Sequence, residues 1–249
     1  MIARGGRAYY GQSIGIALFD GRRYPMVPGD VGNASTYSYP VRLKVVPGLL
    51  ACPPPPAEWG AEEPREVGLL KAAVRELAAD GVRAIVTCCG FFAAVQDVLA
   101  REAGGVPVFT SPLVLLPLLD RMFGPGRKIG VLTASRSMLG EGYLRAAGVA
   151  PGHHVVVEGL EDSTEFYATH MGGTRETMDV ELLRREVVAI ATRFAAAHPD
   201  MVAMVLECTT LPTFSADIQQ ATGLPVVDYV GFMDFIHRTV VARRFDGFA

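Results

Sequence analysis

Two cysteines in this chain stand where thiol chemistry is favoured. Cys89 and Cys208 each close an apolar run, AIVTCC and MVLEC, and each precedes a helical pattern. In open α/β sheets, ligands bind beyond the carboxyl ends of the strands. A cysteine there faces the crevice and heads the next helix, whose unpaired amides and positive end stabilise a thiolate. The same amides, of Gly90 and Phe91 after the first cysteine and of Thr209 and Thr210 after the second, are suited to hold a carboxylate. If the two places face each other, two thiols flank one ligand. That suits proton transfer at a carbon next to a carboxyl group. A thiolate takes a proton from one face, a thiol returns one to the other, and amides stabilise the carbanion between them.

The elements that position these residues alternate between strand and helix. Apolar runs at 14–19, 41–46, 83–87 and 106–109 read as strands, and the pattern restarts at 128–133, 154–158, 201–207 and 224–227. Helical periodicity marks 64–80, where Val67, Leu70, Val74 and Leu77 recur at spacings of three and four and Gly81 ends the pattern. Further helices are expected at 91–103, 138–147, 180–197, 212–221 and 230–244. Such alternation argues for parallel sheets in an α/β fold. The two halves also overlay. Each has a strand ending at a cysteine, then a helix, a Gly and a Pro-containing strand, with Cys89 to Pro107 spaced by 18 and Cys208 to Pro225 by 17. This is the pattern of an internal duplication.

Of two long loops, the first, 20–40, is a candidate for covering the crevice, and the Pro-rich 47–64 with its CPPPP run reads as a surface loop. In the first, Asn33 offers an amide that both donates and accepts. Thr133 and Ser135 end the strand that opens the second half and offer hydroxyls, although Ser135 also suits a helix cap. His170, in the glycine-rich THMGGT, is a secondary candidate. Arg42 and Arg136 are the arginines considered as clamps for a second carboxylate. Cys88 is expected to turn away from the crevice by strand alternation, as a packing thiol. Glu207, next to Cys208, is expected to point to the other face, tied to a backbone amide.

Composition narrows the function classes. The 249 residues make one to two domains, and 50% hydrophobic with 20% charged residues is a globular balance. A net charge of −3 gives no general attraction to nucleic acid or anionic membrane. Small molecules or a second copy are the expected partners. The most apolar stretch, 112–119, is too short to span a membrane and is broken by Pro117. The first dozen residues, MIARGGRAYYGQ, lack an apolar leader core and read as a frayed tail. Four cysteines without a CxxC pair point to a reducing cytoplasm rather than a disulfide framework. No metal is expected, because His153 and His154 have no carboxylate or thiol at ligand spacing. No cofactor is expected either: GxGxxG after a strand and GxxxxGK[ST] are both missing from the sequence.

Cys89 in TCCGFF and Cys208 in ECTTLP resemble the paired-cysteine motifs of the aspartate/glutamate/hydantoin racemase superfamily. The segment PGDVGNASTYSYPVRLKVVPG is similar to that of one of its branches. The resemblance runs from Ile14 to the last helix. It implies two pseudo-symmetric flavodoxin-like lobes, each with a parallel four-stranded sheet flanked by helices. The expected division is 1–113 plus 229–249 for lobe 1, with Cys89, and 114–228 for lobe 2, with Cys208. It further implies racemisation or epimerisation of an amino acid or related small carboxylate or hydantoin without pyridoxal phosphate, with both cysteines as acid and base. A homodimer or higher homo-oligomer is the implied assembly. Sibling enzymes include malonate decarboxylases with one catalytic cysteine and maleate-type cis–trans isomerases with two. Keeping both favours racemase or isomerase. A non-catalytic small-carboxylate binder is the reading from another class. ECTTLP and TCCGFF both depart from the forms of the glutamate racemases, so the substrate does not carry over from them.

Overall fold

The computed structural model describes residues 5–7, 9–151, 153–173 and 175–247. The expected frayed tail falls partly on residues 1–4 and 8, outside the described residues. Strands β1 (Ile14–Leu18), β2 (Val41–Val45), β3 (Ala84–Thr87) and β4 (Val108–Phe109) pair in parallel in the order β2-β1-β3-β4. Strands β5 (Lys128–Thr133), β6 (Val155–Gly159), β7 (Met201–Leu206) and β8 (Val226–Val227) repeat that order as β6-β5-β7-β8. The duplication legible in the sequence is one topology built twice. Every residue of β1 and β3 is buried, which is why they read as unbroken apolar runs: helices cover both faces.

The helices are α1 (Arg65–Asp80), α2 (Gln96–Glu102), α3 (Leu116–Phe123), α4 (Glu141–Ala146), α5 (Thr164–Phe166), α6 (Val180–Ala197), α7 (Ser215–Thr222) and α8 (Tyr229–Val240). α1 buries the four residues its periodicity singled out and stops at Gly81, whose φ of 86° a β-carbon would oppose. α6 has the expected bounds, with Asp179 accepting from the Leu182 amide as its cap. The expected helices at 91–103 and 212–221 each open as a 3₁₀ turn, Gly90–Val95 and Leu211–Phe214, before becoming α-helical. α3, with the preceding turn Pro112–Leu115, was not expected as a helix. Its prolines occupy first turns, where a missing N–H costs nothing.

α8 crosses back to the first sheet and packs Tyr229, Phe232, Met233 and Ile236 against Ile14, Ile16 and Val86. A separate apolar seam joins the two halves, with Phe91, Leu113 and Leu116 meeting Ile129, Val131 and Val205. This seam sets the carboxyl ends of β3 and β7 together. Among the described residues, no helix is long and apolar enough to cross a membrane.

Candidate active site

Cys88 and Cys89 follow the end of β3, and Glu207 and Cys208 follow the end of β7. The Thr209 hydroxyl donates to the Cys88 carbonyl at 3.3 Å and joins the two ends, and the Val31 amide of the 20–40 loop donates to the Thr209 carbonyl at 3.2 Å. Between them lies a cavity of about 330 Å³ that takes in both predicted catalytic thiols, Cys89 and Cys208, with Cys52 and Cys88. Its walls are aromatic, from Phe19, Tyr24, Phe91, Tyr143 and Phe166. Arg22 is the one arginine or lysine lining it among the described residues, with its guanidinium 4.3 Å over the Phe19 ring.

The thiols differ. Burial holds Cys208 well above the usual thiol range, the nearby Glu207 adds to this, and a hydrogen bond from the Thr210 amide opposes it. Burial also raises Cys88, whose sulfur accepts the Phe19 amide at 3.1 Å. Cys88 lines the cavity as well as packing in the core, because the chain leaves strand geometry at Thr87 and alternation no longer turns it away. The Cys52 and Cys89 sulfurs stand 3.3 Å apart.

The amides of Gly90 and Phe91, expected to face a substrate carboxylate, face Glu207 instead. Its carboxyl also accepts from the Ala134 amide and, at 2.8 Å, from the Thr133 hydroxyl. Gly90 must lack a side chain here, since a Cβ would lie 2.1 Å from Glu207 Oε1. Burial pushes Glu207 up to about 7, with those hydrogen bonds pulling the other way. The anion position at the head of the first helix is thus filled by a carboxyl group from the other lobe.

A second buried acid also joins the lobes. Asp30 accepts from the Thr210 hydroxyl at 2.7 Å, the Gly32 amide at 2.8 Å and the Tyr24 hydroxyl. Burial raises it to about 6. Thr210 Oγ1 also faces His170 Nε2 at 3.0 Å. The imidazole stacks on Phe166, with ring centroids 4.5 Å apart, and packs on Tyr24 at 4.0 Å. Burial, then the Arg22 charge, lowers His170 to about 4, so it is neutral at pH 7.

Of the predicted contacts, Cys89, Cys208, Phe91 and Thr209 line the cavity, while Asn33, Gly90, Thr133, Ser135 and Thr210 do not. Asn33 caps its own loop, accepting from the Ser35 amide at 2.8 Å and donating to the Met26 carbonyl at 2.7 Å. Ser135 donates to Glu161 at 2.9 Å. Arg42 pairs with Asp80 at 3.3 Å, and Arg136 lines a separate acidic recess, so neither clamps a ligand beside the thiols. Arg22, Tyr24, Cys52, Tyr143 and Phe166 were not singled out from the sequence. Arg22 and Tyr24 come from the 20–40 loop, whose length marked it as functional, and Cys52 from the Pro-rich segment, which reads from the sequence only as a surface loop.

The family model described as Asp/Glu/Hydantoin racemase matches residues 54–232. The chain belongs to this racemase family. Solved racemase-family folds superpose over most of it. Arylmalonate decarboxylase aligns at a TM-score of 0.56 and 16% identity, covering 92% of this chain and 94% of that one. Glutamate racemase from Francisella tularensis subsp. tularensis SCHU S4 gives 0.53 and 14%, over 94% and 85%. At these identities the likeness shows the fold alone. Within the family, curated relatives with higher identity bear another name. A dimethylsulfoniopropionate lyase from Durusdinium sp. clade D is 35% identical over 236 residues, 92% of this chain and 75% of that protein. Dimethylsulfoniopropionate lyase 5 from Emiliania huxleyi (strain CCMP1516) is 32% identical over 90% of this chain, and lyase 7 from the same strain is 31% identical over 88%. The chain spans 45% and 64% of those two.

Proposed function

We propose that this protein is a carbon–sulfur lyase acting on dimethylsulfoniopropionate or a close sulfonium carboxylate. The observation that carries the reading is the composition of the cavity: paired thiols inside aromatic walls, with a single guanidinium. Such walls suit a sulfonium group, whose positive charge and methyls favour aromatic faces. Arg22 is matched to the one carboxylate of such a substrate. The lyase names of the relatives that align with nearly the whole chain support the same class.

The chemistry begins with the Cα-proton abstraction that a thiolate base performs. The Cys89 thiolate removes the proton on the carbon next to the carboxylate. The C–H electron pair becomes the new C=C bond, and the Cβ–S bond breaks with its pair going to sulfur. Dimethyl sulfide leaves neutral, acrylate remains, and the proton sits on Cys89 until solvent takes it. No second proton donor is needed. Cys208, held protonated by burial and by Glu207, serves here as a neutral wall.

The second reading is 1,1-proton transfer, that is racemisation, with Cys208 returning a proton to the opposite face. The presence of both thiols in one cavity favours it. One experiment separates the two. The protein is incubated in deuterated buffer with dimethylsulfoniopropionate and, separately, with amino acids and hydantoins. Dimethyl sulfide in the headspace with acrylate in the proton NMR spectrum is the expected result. Cα–H exchange without cleavage on an amino acid or hydantoin gives the racemase. Neither signal with any compound overturns both.

A further inference from the structure

Cys52 is a thiol in the cavity that the mechanism above does not use. It lies in the Pro-rich segment between β2 and α1, directly before Pro53, Pro54, Pro55 and Pro56. A residue before proline is held extended, and each proline fixes its own φ, so the segment is stiff. Two hydrogen bonds clamp it: Tyr143 from the other lobe donates to the Pro53 carbonyl at 3.3 Å, and Trp59 Nε1 to the Pro54 carbonyl at 2.8 Å. This sets the Cys52 sulfur 3.3 Å from that of Cys89, with Cys52 as donor.

The hydrogen bond to Cys89, then burial, then the neighbouring Cys88 and Glu207 all push the Cys52 thiol well above its usual range. The 3.3 Å contact lets the two sulfurs share one proton, with the Cys52 S–H as the donor. Cys88, Cys208, Tyr143 and Tyr229 also interact electrostatically with Cys89. Arg22 is the opposing charge in the cavity. A hydrogen bond from an S–H therefore matters to which sulfur carries the anion.

We propose that Cys52 is a positioning residue for Cys89: its S–H donates to the Cys89 sulfur, so the negative charge of the pair resides on Cys89, aimed into the cavity. The inference rests on the reading of Cys89 as the base. It concerns the thiol rather than the substrate, so it is tested without turnover.

The test follows alkylation by iodoacetamide against pH, with tandem mass spectrometry separating Cys89 from Cys88. In the unaltered protein, Cys89 is expected to react at lower pH than Cys52; the reverse order overturns the proposal. In Cys52→Ala, the Cys89 rate at pH 7 is expected to fall about tenfold, with its pH curve displaced upward. Cys52→Ser keeps a donor and is expected to recover most of that rate. A Cys52→Ala curve that overlays the unaltered one overturns the proposal and leaves the lyase reading standing. Absence of lyase activity alongside a displaced curve overturns the lyase reading alone.

Discussion

The Glu207 carboxyl of one lobe rests on the Gly90 amide of the other, at an approach that leaves 2.1 Å for any Cβ on residue 90. The contact ties the two strand ends that carry the thiols. Gly90→Ala is expected to destabilise the fold by about 1–3 kcal/mol through overpacking against buried backbone and carboxylate. The check is urea unfolding. A change within about 0.5 kcal/mol, the range of ordinary surface substitutions, would mean that the approach is not tight.

Glu207 also makes stability depend on pH. Its folded value, about 7, lies above the ordinary 4.5. Between those values the folded protein binds the proton that the unfolded chain has lost, so stability falls as pH rises through the window. Asp30, raised from 3.8 to about 6, adds the same sign at lower pH. The urea midpoint is expected to drop between pH 5 and pH 8. Glu207→Gln should remove up to roughly 3 kcal/mol of that slope, whatever its absolute stability. An equal slope in the variant contradicts the assignment.

Thr210→Val removes the hydroxyl that donates to Asp30 at 2.7 Å and faces His170 at 3.0 Å, with little change in shape. A hydrogen bond to a charged group is worth about 1.5–3 kcal/mol, so a loss of that size is expected at pH 8. At pH 5, where Asp30 is mostly protonated, the loss should be smaller. Urea unfolding at the two pH values makes the comparison.

Arg22 is the carboxylate partner in the proposed site. Arg22→Met is expected to raise KM for a sulfonium carboxylate about tenfold or more, since a charge-assisted pair is lost. Steady-state kinetics on dimethyl sulfide release measures it. An unchanged KM would place the carboxylate elsewhere.

Much of the scaffold was legible because it obeys periodicity. α6 and α1 carry clean apolar spacings, and the cysteines stand at the ends of buried runs that could only be central strands. The missing helix at Leu116–Phe123 was hidden by Pro112 and Pro117, which look like breakers until their first-turn positions are known. The binding side chains were less legible. Gly90 and Phe91 are at the head of a helix, as expected, but whether their amides are free depends on Glu207, which is distant in sequence and on the other lobe. Arg22, Tyr24 and Cys52 come from loops, where no repeat marks which side chain turns inward. His170 reaches the cavity from a π-helical turn, Tyr167–Met171, that has no signature in composition.

The central claim, that Cys89 takes the proton while Cys208 is dispensable to cleavage, is tested most directly with two variants. Dimethyl sulfide release from dimethylsulfoniopropionate is measured for Cys89→Ser and Cys208→Ser beside the unaltered protein. The account predicts that Cys89→Ser loses about 10³-fold or more in rate, as expected on removing a catalytic base, and that Cys208→Ser stays within about tenfold. Release that survives in Cys89→Ser, or that vanishes equally in both variants, would contradict it.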